Sequence, residues 1–176
     1  MNKNDLRFQK TELAIRNAYI SLKKRSKSAV KVVDLCDAAM INKTTFYAHY
    51  ETIEHLHKTI CSEFVSEVLA TSRGLEKFSV DIKAAMYSIL EQFSKRMSYI
   101  KMLYGDNLYE FVNDFERLFL KAVFKNNNDE DYELAVRFCI GGAFRLFLTE
   151  KNPVRLEKTF ALVESILLKD NPKPQM

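Results

Sequence analysis

Apolar residues recur along this chain at helical spacing almost from its start. Ile15, Ala18, Tyr19 and Leu22 fall at i, i+3, i+4 and i+7, which is one stripe of an amphipathic helix. Lys23-Lys24-Arg25 closes that helix with cations at the negative end of its dipole, and Ser26-Lys27-Ser28 breaks it. Over 31–50 the pattern predicts a short helix, a tight turn and a second short helix, the latter capped by Asn42. Leu35, Ala38 and Ala39 are expected to pack on Phe46 and on the first stripe. Thr52 then opens a long helix with Ile53, Leu56, Ile60, Phe64 and Val68 on one face, ended by Arg73-Gly74. Further helices are expected at about 79–98, 107–125, 130–150 and 154–169, with a short one at 98–104. Breaks fall at Gly105-Asp106-Asn107, at Asn126 to Asp129 and at Asn152-Pro153. In the last of these Asn is a good cap and Pro suits the first helical position.

Only 4 glycines and 3 prolines in 176 residues leave few turns for sandwiches or barrels, so composition agrees with an all-α fold. The expected architecture is an N-terminal three-helix domain with a helix-turn-helix over 1–58 and a larger C-terminal helical bundle over 59–170. A disordered tail is expected over 171–176.

Charge is unevenly spread. Residues 1–58 carry 11 Lys/Arg against 6 Asp/Glu, a net of +5, whereas residues 59–176 are at −1. A basic amino-terminal third suits a phosphate backbone, although charge alone favours a solvated basic surface. Cys36, Cys61 and Cys139 form no C-x-x-C and sit in helical, partly apolar runs, so buried reduced thiols are expected. No apolar run reaches the length of a membrane span, and Met-Asn-Lys-Asn-Asp-Leu-Arg lacks a secretory core. A cytoplasmic protein with no membrane association is the expectation.

Enzyme chemistry finds no foothold. G-x-S-x-G, a P-loop and a dinucleotide fingerprint are all missing from the sequence, so no catalytic residue and no cofactor are expected. His55 and His57 lie two apart, on different faces of a helix, which argues against a metal site. What remains is the helix-turn-helix, which can push its second helix into a DNA major groove.

From Thr45-Phe46-Tyr47-Ala48-His49-Tyr50 the chain resembles the TetR/AcrR family of transcriptional regulators, with the resemblance extending less specifically from about Lys10 to Lys58. Beyond it only the helical layout agrees, together with Gly141-Gly142 and a final amphipathic helix. Three positions depart from the family pattern. Met40 stands in place of the turn glycine, Thr44 in place of a small helix-start residue, and Ile53 in place of a phosphate-binding lysine.

The resemblance implies a homodimer binding a palindromic double-stranded DNA operator, more often as a repressor. Thr45, Tyr47 and His49 would meet the sugar-phosphate backbone. The helix starts at Lys31, Asn42 and Thr52 would approach phosphates, and Lys43 and Thr44 would read base edges. Phe46 and Tyr50 are assigned to the core. The last two helices imply a four-helix dimer interface through Leu134, Phe138, Gly142 and Leu146, then Leu156, Phe160, Val163 and Leu167. A small apolar effector is expected among Met86, Tyr87, Phe93, Met97, Tyr104, Phe111 and Phe115, where spacing alone equally describes a packed core. Such an effector would act by population shift, with the helix from Ile53 to Leu69 as the lever. The competing reading is a helical adaptor of the same fold that acts through a protein partner, such as a coactivator or division factor.

Overall fold

The computed structural model describes residues 5–26, 28–72, 78, 81–105, 108–124, 129–149 and 153–169. Among these every regular element is an α-helix. In order they are α1 (Leu6–Arg25), α2 (Val32–Ala39), α3 (Lys43–His49), α4 (Ile53–Thr71), α5 (Ile82–Lys95), α6 (Met97–Tyr104), α7 (Leu108–Val123), α8 (Glu130–Thr149) and α9 (Pro153–Lys169). The expected stop at Arg73-Gly74, the Asn126–Asn128 break, the Asn152 cap and the 171–176 tail lie outside the described residues.

Local chemistry explains most of the boundaries. Asp5, Asp81 and Asp129 each accept a backbone N–H of the first turn, from Arg7 at 2.9 Å, Ala84 at 2.9 Å and Tyr132 at 3.0 Å. The run expected at 79–98 stops at Lys95, where the N–H of Arg96 bonds back to the Phe93 carbonyl at 3.1 Å. Gly105 ends α6 at φ 65, a left-handed turn that costs glycine nothing, with its N–H on the Lys101 carbonyl at 2.9 Å.

The chain divides into two compact units, Met1–Phe64 with Ser98–Asp106, and Val65–Met97 with Asn107–Met176. The division falls inside α4, and α6 joins the amino-terminal unit. In that unit α1 packs on α2, and α2 on α3. Its core holds Ile15, Ala18 and Tyr19 of α1, Leu35, Cys36 and Ala39 of α2, then Phe46, Tyr50, Leu56 and Ile60. Ala38, expected to pack on Phe46, is exposed, and Cys36 takes the buried place instead. From α6, Tyr99 lies against Phe64 with ring centroids 5.0 Å apart and Tyr104 against His57 at 6.3 Å.

In the second unit α5 packs on α9, α7 on α8, and α8 on α9. Aromatic rings fill the centre: Phe93 meets Phe111 at 4.9 Å, Phe115 at 5.3 Å and Phe144 at 5.6 Å. The packing around the expected effector pocket is close. A cavity of about 40 Å³, room for a few water-sized spheres, lies among Phe78, Ile89, Phe119, Val136, Cys139 and Val163. Of the expected pocket residues only Met86 and Phe115 line it. Phe93 and Phe111 are packed core, and Tyr87 stands edge-on to Phe160 at 4.7 Å. Met97 does not line the cavity, and Tyr104 belongs to the other unit.

The expected dimer stripes also part company. On α8, Leu134, Phe138, Gly142 and Leu146 are exposed, Phe138 at 78%. On α9, Phe160 is 1% exposed, Val163 and Leu167 are buried and Leu156 is half-buried, so that stripe is this unit's own core. The exposed large apolar residues of α9 are Val154 and Leu162. None of the three cysteines is disulfide-bonded, and all are buried. Among the described residues no helix is long and apolar enough to cross a membrane.

Candidate nucleic-acid interface

The turn before α3 is built by backbone hydrogen bonds. The N–H of Ile41 reaches the Cys36 carbonyl at 3.0 Å and that of Met40 the Asp37 carbonyl at 3.2 Å, the paired pattern of a Schellman stop. Met40 occupies the left-handed position at φ 54, so the turn expected of glycine forms with a side chain in it, 92% exposed. Asn42 then caps α3 through Oδ1, which accepts from the Thr45 N–H at 2.7 Å. Thr52 does the same for α4, accepting from the His55 N–H at 3.0 Å.

A helix advances about 100° per residue, so α3 presents two faces. Lys43, Thr44, Tyr47 and Ala48 face outward, with Tyr47 55% exposed. Phe46 is fully buried against the unit's core, with Tyr50 beside it. Thr45 is half-buried, and its hydroxyl donates to Asn42 Oδ1 at 2.9 Å. That donation uses the one proton it could offer to a phosphate oxygen. Lys31 is exposed at the amino-terminal end of α2 and makes no side-chain cap.

His49 differs from expectation most. Its side chain is 1% exposed, stacked on Phe8 with ring centroids 3.9 Å apart, and Nδ1 lies 2.7 Å from Glu12 Oε2. An ionised carboxylate only accepts, so Nδ1 carries the proton toward it. Nε2 is buried with no hydrogen-bond partner. The imidazole expected on the backbone of DNA is therefore turned onto α1.

Glu12 gathers the surrounding polar groups. Tyr50 donates its hydroxyl to Oε1, as does Arg16 through Nε at 3.1 Å. Arg16 in turn donates through both Nη atoms to Glu63 of α4, Nη2 at 2.8 Å from Oε1. Burial pushes the Glu12 carboxyl up, but hydrogen bonds from Tyr50, His49 and Arg16 outweigh it and hold the group below its ordinary value. The Glu63 carboxylate, against some opposing burial, raises Arg16, and burial with the Glu12 bond raises the Tyr50 phenol. Sequence reading passed over Glu12. The signal available was a carboxylate among Phe8, Ile15 and Ala18, on a helix that must pack.

Of the residues expected at DNA, α3 brings Lys43, Thr44 and Tyr47 together on its open face, while Thr45 and His49 are engaged within the unit. Comparison with protein-family models, curated proteins and solved structures finds no match to this chain.

Proposed function

We propose that this chain is a transcriptional regulator of the TetR/AcrR type that binds duplex DNA as a homodimer, with α3 as the recognition helix and repression as its mode. One observation carries the reading. In the amino-terminal unit, a capped two-turn helix leaves Lys43, Thr44 and Tyr47 exposed on one face while Phe46 anchors the other. Lys43 and Thr44 read base edges, Tyr47 and Lys31 meet phosphates, and His49 and Thr45 hold α3 in place. The second copy meets α8 through Leu134, Phe138 and Leu146, beside two glycines where an added Cβ would have no neighbour within 4 Å among the described residues beyond the helix's own backbone. An effector entering the second unit would have to open its small cavity.

Selection of duplexes from a random pool, followed by titration of the selected duplex at several salt concentrations, tests the proposal. A palindromic consensus and a steep loss of affinity with salt are expected. Absence of salt-dependent binding would remove the reading in favour of a helical adaptor for a protein partner.

A further inference from the structure

We propose that Glu12 is a positioning residue for sequence recognition, setting how α3 is seated on α1 through His49 and Tyr50. This rests on the reading of α3 as the recognition helix. Glu12 belongs to α1 and touches no exposed face of α3, yet its two oxygens hold the two residues at which α3 ends, Oε2 on His49 Nδ1 at 2.7 Å and Oε1 on the Tyr50 hydroxyl.

The physical need comes from the size of α3. Seven residues make two turns, too few to hold a helix by its own hydrogen bonds. Its apolar anchor, Phe46, is fully buried, but apolar contact is non-directional and tolerates rotation about the helix axis. Hydrogen bonds are directional, and those to a carboxylate are shorter and stronger than neutral ones. Asn42 secures the first turn and Glu12 the last, so rotation is resisted at both ends. Phe8 stacks on the His49 ring, whose side chain is almost wholly shielded from water. Glu12 is itself held, by Arg16 at 3.1 Å, which Glu63 of α4 holds in turn. A chain of hydrogen bonds thus runs from α3 through α1 to α4. Base reading by Lys43 and Thr44 depends on placement to a fraction of an ångström, and the Glu12 chain supplies it.

The test uses the full chain, a duplex selected by the unaltered protein from a random pool, and a scrambled duplex of equal length. Glu12→Ala, Glu12→Gln, His49→Ala and the Glu12→Ala/His49→Ala pair are compared below their melting temperatures. For Glu12→Ala and Glu12→Gln the ratio of affinities for selected over scrambled duplex should fall at least tenfold. Their slope of log affinity against log salt should stay unchanged, since no phosphate contact is removed. The double variant should be no worse than the poorer single one, because both act through one bond. A lowered melting temperature with the affinity ratio intact would mark Glu12 as merely structural and overturn the proposal. So would additive losses, or a salt slope reduced by about one in His49→Ala, which would make His49 a phosphate contact. Should Glu12→Ala not fold, the near-isosteric Glu12→Gln carries the same comparison. If the unaltered protein binds no duplex with salt dependence, the recognition reading itself falls, a result distinct from all of these.

Discussion

Asn42 Oδ1 accepts twice from Thr45, from its backbone N–H at 2.7 Å and from its hydroxyl at 2.9 Å. The cap and its recipient form a closed pair, with no proton left on Thr45 to give to DNA. Asn42→Ala should cost about 1 kcal/mol of stability, read by thermal or denaturant unfolding. Thr45→Val should leave DNA affinity within about twofold, whereas a true phosphate contact would cost several-fold.

Met40 holds a left-handed conformation at φ 54 with its side chain in solvent, so it bears the strain without packing in return. Met40→Gly should stabilise the protein by about 1 kcal/mol, raising the melting temperature by a few degrees. Met40→Ala keeps the strained Cβ and should not. Two calorimetric scans decide between these outcomes.

Acid stability should report on Glu12. Its carboxyl is held below the ordinary value of 4.5 in the folded chain, so its contribution is fully present above that pH and is lost as pH falls through the lowered value. Glu12→Gln should flatten the acid limb of the stability profile. At the other extreme, burial and the nearby Cys61 push the Tyr19 phenol up to about 12 from 10.0. Its contribution is present below pH 10 and lost as pH rises through 12, a loss that Tyr19→Phe should remove from the alkaline limb of urea titrations.

The exposed face of α3 makes separable predictions for DNA. Tyr47→Ala should weaken binding to selected and scrambled duplexes alike. Lys43→Ala should relax base preference, by about 1–3 kcal/mol at the position it reads. Both side chains are exposed, so circular dichroism should be unchanged.

At α8 the two glycines give opposite signs for chain and dimer. Beyond its own helix backbone, a Cβ at Gly142 meets none of the described residues within 4 Å, so Gly142→Ala should stabilise the isolated chain by up to about 1 kcal/mol. If a second α8 approaches there, Gly142→Leu and Phe138→Glu should both shift sedimentation from dimer toward monomer and weaken operator binding. A monomeric unaltered protein, or a dimer indifferent to both changes, would dismiss this face as the interface.

Much of this molecule is written in short-range pattern. Helical periodicity and capping residues act within a turn or two, so the helices of the described residues, the Asn42 and Thr52 caps and the helix-turn-helix could be read without coordinates. The division of α3 departs from the sequence expectation, which has Thr45, Tyr47 and His49 together at DNA. Lys43 and Tyr47 stand four apart on one face, Thr45 and His49 four apart on another, and the second pair adjoins the buried Phe46. Spacing could not say which of two apolar stripes turns inward. On α8 the residues Val136, Ile140, Ala143 and Phe144 are buried and Leu134, Phe138 and Leu146 are not, because neighbouring helices cover only one side. The α9 stripe went the other way, into the core, where α5 and α8 meet it. Nor could spacing join Glu12 to His49, which lie far apart in the chain and meet only once α1 and α3 are packed. Periodicity records that a helix has an apolar side. Only the partner it finds in space determines what that side is for.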